Sequence, residues 1–150
     1  MNHHLVILKK PYLELILSGR KTVELRLSKR RQPAFGRVHQ GDRLLLKVSS
    51  GPVRGAATVA DVKFYDDLTP ERIVHIRQQY NNEIMGGDAI WQSMMHCRYG
   101  FLVRLRDVRR IEPIRIGKKD WRAWVVLKQG KDFGLLDRMR LWETTDACDA

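Results

Sequence analysis

The stretch GRKTVELR at residues 19–26 is the main sequence signal for the fold, because a helix pattern ends there and a strand pattern begins. Gly19 follows a short apolar run, which predicts a helix that stops at the glycine. Apolar and polar residues then alternate, which predicts a strand with Glu24 and Arg26 on one face. Lys21 lies in the intervening turn. The pattern therefore places a cation, a carboxylate and a guanidinium within a few residues of one another.

Such a group can serve chemistry or can simply be solvated. Arg26 could orient Glu24 as an ion pair, and Lys21 could meet a phosphate or a polarised carbonyl group. Alternating charges on an exposed strand would give the same pattern, so this segment alone leaves both interpretations open.

The elements around this segment predict an α+β fold. A first strand is expected over His3–Leu8, and a buried strand follows a turn at Gly41-Asp42. The remaining expectations are a buried strand at 43–48, a strand at 53–65, a helix from Thr69, a second helix capped by Asp88, and strands at 101–105, 111–116 and 120–127. Helices that interrupt short strands without βαβ spacing favour a small β-barrel with helices packed around it.

Length and charge predict one compact, basic domain. The chain has 150 residues and a formal net charge of +11. Residues 1–60 hold 12 Lys and Arg against 3 Asp and Glu, and residues 101–140 hold 12 against 5. We expect a single domain over 1–140, with 141–150 as a frayed acidic tail. Two basic segments suggest one cationic face that attracts polyanions, although a basic surface can also serve solubility alone.

Several functional classes are excluded or disfavoured by the sequence. No 18-residue apolar run is present, so a membrane-spanning helix is not expected. Cys97 and Cys148 form neither a disulfide framework nor a zinc pattern, which favours a reducing, cytoplasmic environment. The five histidines lack ligand spacing, and no glycine-rich phosphate loop occurs, so we expect no metal and no cofactor.

The segment at 19–26 resembles the Gly-x-Lys-x-x-Glu-x-Arg pattern of the ASCH domain, a member of the PUA-like superfamily. The likeness extends to Lys10-Pro11-Tyr12 at the helix start, to the Gly41-Asp42 turn and to the late strand at 124–127, and it covers roughly residues 5–128. The resemblance implies a PUA-like β-barrel whose cleft is lined by the motif and the first helix. It also implies recognition of nucleic acid, because related folds bind RNA.

Roles for individual residues follow from the resemblance. It implies that Gly19 shapes the loop, Lys21 is the cleft cation, Glu24 is the cleft carboxylate, Arg26 is its partner or a phosphate contact, and Lys10 and Tyr12 are neighbours at the cleft mouth. Some similar enzymes are amidohydrolases that remove the acetyl group of N4-acetylcytidine. They carry Thr where this chain has Glu24 and need a second carboxylate, for which Asp61 is the nearest candidate. Others are associated with cleavage of single-stranded RNA.

Further contacts are expected from basic and aromatic residues outside the motif. They are Lys29, Arg30, Arg31, Lys118, Lys119, Arg122 and Trp124. The sequence thus predicts a nucleic-acid-binding protein, RNA preferred over DNA, with no membrane partner. The alternative is a hydrolase in the same cleft, with Lys21 and Glu24 as the catalytic pair. An adaptor for an acidic protein partner is a third interpretation, and the oligomeric state is left open.

Overall fold

The computed structural model describes residues 1–116 and 123–127. Its elements in chain order are β1 (His3–Leu8), α1 (Lys10–Leu17), β2 (Val23–Ser28), β3 (Arg43–Val48), β4 (Val53–Tyr65), α2 (Pro70–Ile84), α3 (Asp88–Ser93), β5 (Tyr99–Ile114) and β6 (Trp124–Val126). Within these ranges no helix is long and apolar enough to cross a membrane. Three of the expected contacts, Lys118, Lys119 and Arg122, and the expected acidic tail at 141–150 lie outside the described residues.

One mixed sheet carries the fold, and its two edges curl towards each other. The strand order is β2-β5-β4-β3-β1-β6, with β1 parallel to β3 and the other pairs antiparallel. Arg26 on edge strand β2 donates to the carbonyl oxygen of Ile7 at 2.9 Å and to that of Ala123 at 3.4 Å. Ile7 belongs to β1, and Ala123 immediately precedes the opposite edge strand β6. The result is a half-barrel with an open seam that Arg26 bridges, and the predicted α+β, barrel-like class is confirmed.

Two apolar clusters pack on the sheet, and the second of them fixes the strand that carries the motif. Inside the half-barrel, residues such as Val6, Leu44 and Val103 pack with Leu13 and Ile16 of α1. A separate cluster lies between the sheet and α2 and contains Val23, Leu25, Ile73 and Ile76. Because alternate residues of a strand point to opposite faces, burying Val23 and Leu25 against α2 turns Glu24 and Arg26 the other way.

The C-terminal half of the sheet differs from the sequence expectation. The predicted short strand at 111–116 is the end of the long strand β5, which bends rather than stops. At the bend Ala56 pairs with Arg109 and Thr58 with Arg106, so two residues of β5 oppose one of β4. Asp107 adopts a positive φ of 52° within this bulge. A bulge interrupts the period-two pattern without ending the strand, and for this reason the sequence suggested two strands.

The helix starts agree with the sequence except at α3. The Thr69 hydroxyl accepts a hydrogen bond from the Arg72 amide at 3.2 Å and caps α2, as predicted. The predicted cap of α3 is wrong by one position, since Gly87 is the N-cap and Asp88 is the first helical residue.

Candidate functional site

The turn between α1 and β2 buries Lys21. Gly19 has φ +82°, a conformation that glycine adopts at no steric cost, and this reverses the chain at the helix end. The amides of Arg20 and Lys21 then both donate to the carbonyl oxygen of Leu15 at 3.0 Å. The end of the helix therefore uses the backbone N–H groups of this turn. Only 3% of the Lys21 residue surface remains exposed.

The Lys21 ammonium is held by backbone carbonyl groups. It donates to the Val23 carbonyl oxygen at 2.9 Å and to that of Ile84, the last residue of α2. It also lies 5.8 Å from the centre of the Tyr12 ring. Burial lowers the pKa of Lys21, the charge of Glu24 opposes this shift, and Arg26 adds to it. A buried amine of this kind gives up its proton more readily than a surface lysine.

Glu24 is the carboxylate between the two cations. Its Oε1 lies 3.8 Å from the Lys21 ammonium and accepts a hydrogen bond from the Leu25 amide at 3.2 Å. Its Oε2 lies 3.7 Å from the Arg26 guanidinium, is buried, and makes no hydrogen bond within the described residues. The motif therefore forms a compact cluster with one acceptor atom still unused.

Arg26 and Trp124 form the bridge across the seam. The Arg26 guanidinium lies 5.6 Å from the centre of the Trp124 ring, and Trp124 is only 6% exposed. The Trp124 indole N–H donates to Nδ1 of His4 at 3.1 Å, while Nε2 of His4 lies 2.9 Å from Asp42. This assigns the Nε2–H tautomer to His4. The sequence does not indicate His4 and Asp42 as supports of the site, because 38 residues separate them and no motif connects them.

A cavity of about 450 Å³ opens in front of the cluster. Lys21, Glu24 and Arg26 line it together with Tyr12 and with several residues that the sequence did not single out. These further residues include Ile7, Lys9, Ser49, Ile84, Trp91 and Met94. Lys9 immediately precedes α1. Its position next to Lys10-Pro11-Tyr12 is the sequence signal that could have indicated it as a lining residue. Lys10 is exposed and is not among the lining residues.

The described lining of the cavity offers no second carboxylate. Glu24 is the only carboxylate among the described lining residues. Asp61 is exposed on β4 and does not line the cavity. In the described ranges no three His, Cys, Asp or Glu side chains are grouped closely enough to hold a metal ion.

Comparison with known proteins gives the family. An ASCH domain model matches residues 6–132 of this chain. The chain belongs to the ASCH domain family. Membership points to nucleic acid binding as the general activity of such domains. No curated protein matches this sequence.

Solved ASCH structures share the fold. A crystal structure of a Tyr-to-Phe mutant of the ASCH protein from Zymomonas mobilis is 18% identical, covers 91% of this chain and 98% of its own, and gives a TM-score of 0.70. A Ser-to-Ala mutant is 19% identical, and the unsubstituted protein is 18% identical. Each of these two covers 90% of this chain and 94% of its own, with a TM-score of 0.67. At these identities the likeness establishes the fold.

The basic loop of this ASCH domain lies beyond the end of β2. Lys29, Arg30 and Arg31 are exposed. The Arg31 guanidinium lies 4.8 Å from the centre of the Phe35 ring and 5.4 Å from that of Tyr99. The loop therefore places the Arg31 cation beside two aromatic rings.

Proposed function

We propose that this ASCH domain binds single-stranded RNA along the seam of its half-barrel, with one nucleotide entering the cavity of residues 21–26. The observation that carries the proposal is the unused Glu24 Oε2, which is buried, makes no hydrogen bond to any residue that the structure describes, and belongs to a residue that lines the cavity. A buried acceptor without a partner is costly, so a ligand that brings a donor gains binding energy there. The ring N–H and exocyclic amino groups of nucleobases are such donors.

The surroundings suit the rest of a nucleotide. Apolar and aromatic residues, among them Ile84 and Trp91, line the cavity beside the charged cluster and can cover a flat ring. Exposed Lys9 at the cavity, exposed Lys10 next to it and the loop of Lys29–Arg31 can neutralise phosphates along the strand. Lys21 is less suited to phosphate binding than the sequence suggested, since backbone carbonyls occupy its ammonium group. We assign it to orienting Glu24 and the bound base.

The test is fluorescence anisotropy of a labelled single-stranded RNA titrated with protein at several salt concentrations. We expect the logarithm of the binding constant to fall linearly with the logarithm of salt concentration, with a slope of about 0.7 per phosphate contacted. The Lys29→Gln/Arg30→Gln variant should lower that slope by about 1.4. Arg54→Gln removes an exposed charge on β4 that lines neither described cavity, and it should leave the slope unchanged.

Two results would contradict this function. One is flat anisotropy even at low salt, and the other is a slope that responds equally to the loop variant and to Arg54→Gln. DNA of the same sequence should bind more weakly than RNA, because RNA offers 2′-hydroxyl groups for contact. The expected compartment is the cytoplasm, on the cysteine pattern alone.

A hydrolase in the same cavity is the second candidate. The lowered pKa of Lys21 beside Glu24 favours it, since perturbed groups in a cavity are typical of catalytic sites. In cleavage of an RNA phosphodiester, Glu24 would accept the proton of the 2′-hydroxyl group as its oxygen bonds to phosphorus, and Lys21 would stabilise the developing negative charge. The P–O5′ bond would break, and the leaving 5′-oxygen would take a proton from water. N4-acetylcytidine hydrolysis is less favoured, because the described part of the cavity offers a single carboxylate.

Activity is tested by prolonged incubation with single-stranded RNA and, separately, with N4-acetylcytidine. A hydrolase should lose product formation in both Lys21→Met and Glu24→Gln, and Arg54→Gln should retain it. Equal product from Lys21→Met and the unmodified protein would identify a contaminant and remove this candidate.

A further inference from the structure

A second cavity adjoins the first one on the seam. It measures about 270 Å³ and shares Arg26, Leu27 and Ala123 with the larger cavity. The two cavities therefore lie next to each other, with the Arg26 bridge as part of the wall of each.

The lining of this second cavity is unusually aromatic. Phe35, Phe101 and Trp124 all contribute to it, and the Phe101 and Trp124 rings meet edge to face at 5.0 Å between their centroids. The Phe35 ring is fixed in turn by Phe64, at 5.3 Å between centroids. Contacts of this kind hold rings in place, so the cavity presents fixed aromatic surfaces on which a planar group can stack.

Three polar groups complete the second cavity. They are the Arg26 guanidinium, the Ser28 hydroxyl and the Gln32 amide. The Ser28 hydroxyl donates to the Arg30 carbonyl oxygen at 2.6 Å, so its own oxygen is left as a hydrogen-bond acceptor. A side-chain amide offers both a donor and an acceptor and can pair with the edge of a nucleobase.

Charge at the rim identifies the chemistry of the occupant. Ser28 and Gln32 flank the Lys29–Arg31 loop in the chain, so the cavity and the exposed cations share one edge. The Arg31 guanidinium already lies over Phe35 at 4.8 Å from the ring centre. Aromatic rings below and cations at the rim fit a base with its phosphate, which is how single-stranded nucleic acids are usually held.

We propose that the second cavity binds the base of the nucleotide that adjoins the one in the larger cavity, so that consecutive bases of one strand lie on either side of Arg26. This inference rests on the proposed RNA-binding function and assigns Phe35 and Gln32 as base-contacting residues. A strand bound in this way must be unpaired over both nucleotides.

The test scans a short single-stranded RNA with one abasic residue placed at each position in turn. In the unmodified protein, abasic replacement at each of two neighbouring positions should weaken binding by about tenfold. Phe35→Leu should weaken binding of the intact RNA by about the same factor and should abolish the penalty at one of those two positions only. Gln32→Ala changes an exposed residue, so it keeps the protein folded, and it should reduce the penalty at the same position.

The matched control is Gln78→Ala, which changes an exposed glutamine of α2 that lines neither described cavity. It should leave both abasic penalties in place. If RNA binds with the expected salt dependence but Phe35→Leu and Gln32→Ala leave both penalties unchanged, the second cavity is not a base site and RNA binding still stands. If no RNA binds at all, both the inference and the proposed function fail.

Discussion

At the scale of single residues, the site is organised around Glu24. Its carboxylate lies 3.8 Å from the Lys21 ammonium and 3.7 Å from the Arg26 guanidinium, which compensates its burial. Removing one member of such a cluster leaves the others without compensation, and this is costly at buried positions. The cluster should therefore respond to substitution as a unit.

Charge neutralisation at Glu24 should change the proton affinity of Lys21. Glu24 raises the pKa of Lys21, whereas Arg26 lowers it. In Glu24→Gln the pKa of Lys21 should therefore fall further, and in Arg26→Gln it should rise by a smaller amount. NMR titration of the lysine side-chain signals measures both shifts, and Lys10, which is exposed, provides the reference signal. Shifts of the same sign in both variants would contradict this electrostatic description.

His4 should make the stability of the fold depend on pH. Burial lowers its pKa below 6.5, although Asp42 opposes the shift. Between the pKa of His4 in the folded protein and its pKa in the unfolded chain, the unfolded chain binds more protons. The contribution of His4 to the free energy of unfolding is therefore complete above pH 6.5. It should fall as pH drops below 6.5 towards the folded pKa, by at most about 1.4 kcal/mol per pH unit.

Urea unfolding of the unmodified protein and of His4→Gln between pH 5 and 8 measures this effect. The His4→Gln variant should be less stable at neutral pH. Because glutamine does not titrate, this variant should also lose the part of the pH slope that His4 contributes. His75→Gln changes an exposed histidine and should keep the slope of the unmodified protein. A slope that survives in His4→Gln would assign the effect to another group.

At the scale of elements, the contact between β2 and β5 places the motif. Gly100 of β5 pairs with Leu27 of β2, and a Cβ atom there would lie 2.5 Å from the Arg26 carbonyl oxygen and would also clash with the Leu27 side chain. Backbone cannot move aside as a flexible side-chain end does. The pairing therefore requires glycine, and through it the position of Arg26 depends on residue 100.

Gly100→Ala should destabilise the protein by about 1–3 kcal/mol because it pushes β2 away from β5. It should also weaken RNA binding more than stability alone explains, since Arg26 moves with the strand. Gly87→Ala is the matched control, because nothing lies within 4 Å of the added Cβ and its φ is −81°. Chemical denaturation compares the two, and equal stability of the two variants would show that the strands tolerate the methyl group.

Much of this element structure could be predicted from local signals. The apolar run that ends at Gly19 located α1, and the alternation after Thr22 located β2 with Glu24 and Arg26 on one face. The bulge at Asp107 could not be predicted, because it depends on how β5 pairs with the neighbouring strand β4. Similarly, the burial of Lys21 depends on Ile84, which is 63 residues away in the chain.

At the scale of the whole molecule, few contacts between described residues bridge the open seam. The short strand β6 pairs with β1, where the Ile7 amide donates to the Ala123 carbonyl oxygen and the Leu127 amide to that of His3, each at 2.8 Å. Arg26 holds the same Ala123 carbonyl from the opposite edge. Among the described residues, the Arg26 side chain therefore supplies the hydrogen bonds that bridge the seam, and it also lines both cavities.

Arg26→Lys should loosen this closure. Lysine keeps the charge but lacks the planar fork that reaches two carbonyl oxygens at once. Hydrogen exchange at the Ile7 and Leu127 amides should accelerate, while exchange in the β3–β4 pair stays the same. Arg20→Lys, at an exposed position, should change neither rate. Unchanged exchange in Arg26→Lys would mean that the strand pairing alone closes the seam.

The charge distribution is less uniform than the sequence suggested. The arginines of β5 from Arg106 onward lie beyond the stretch Tyr99–Arg104 that pairs with β2, whereas the Lys29–Arg31 loop follows Ser28 at the Tyr99 end of that pairing. Arg110 contacts Glu14 of α1 at 3.1 Å. Counting charges along the chain could not separate these two surfaces, since only the strand register places them.

The most direct test of the central claim is NMR mapping of an RNA complex. A short single-stranded RNA is titrated into the isotope-labelled protein, and the backbone amide shifts are followed. Binding in the seam predicts the largest changes at residues 7–9, 21–28 and 32–35. Changes confined to the arginine-rich end of β5, at residues 106–115, would contradict the account and would place the RNA on the other basic surface.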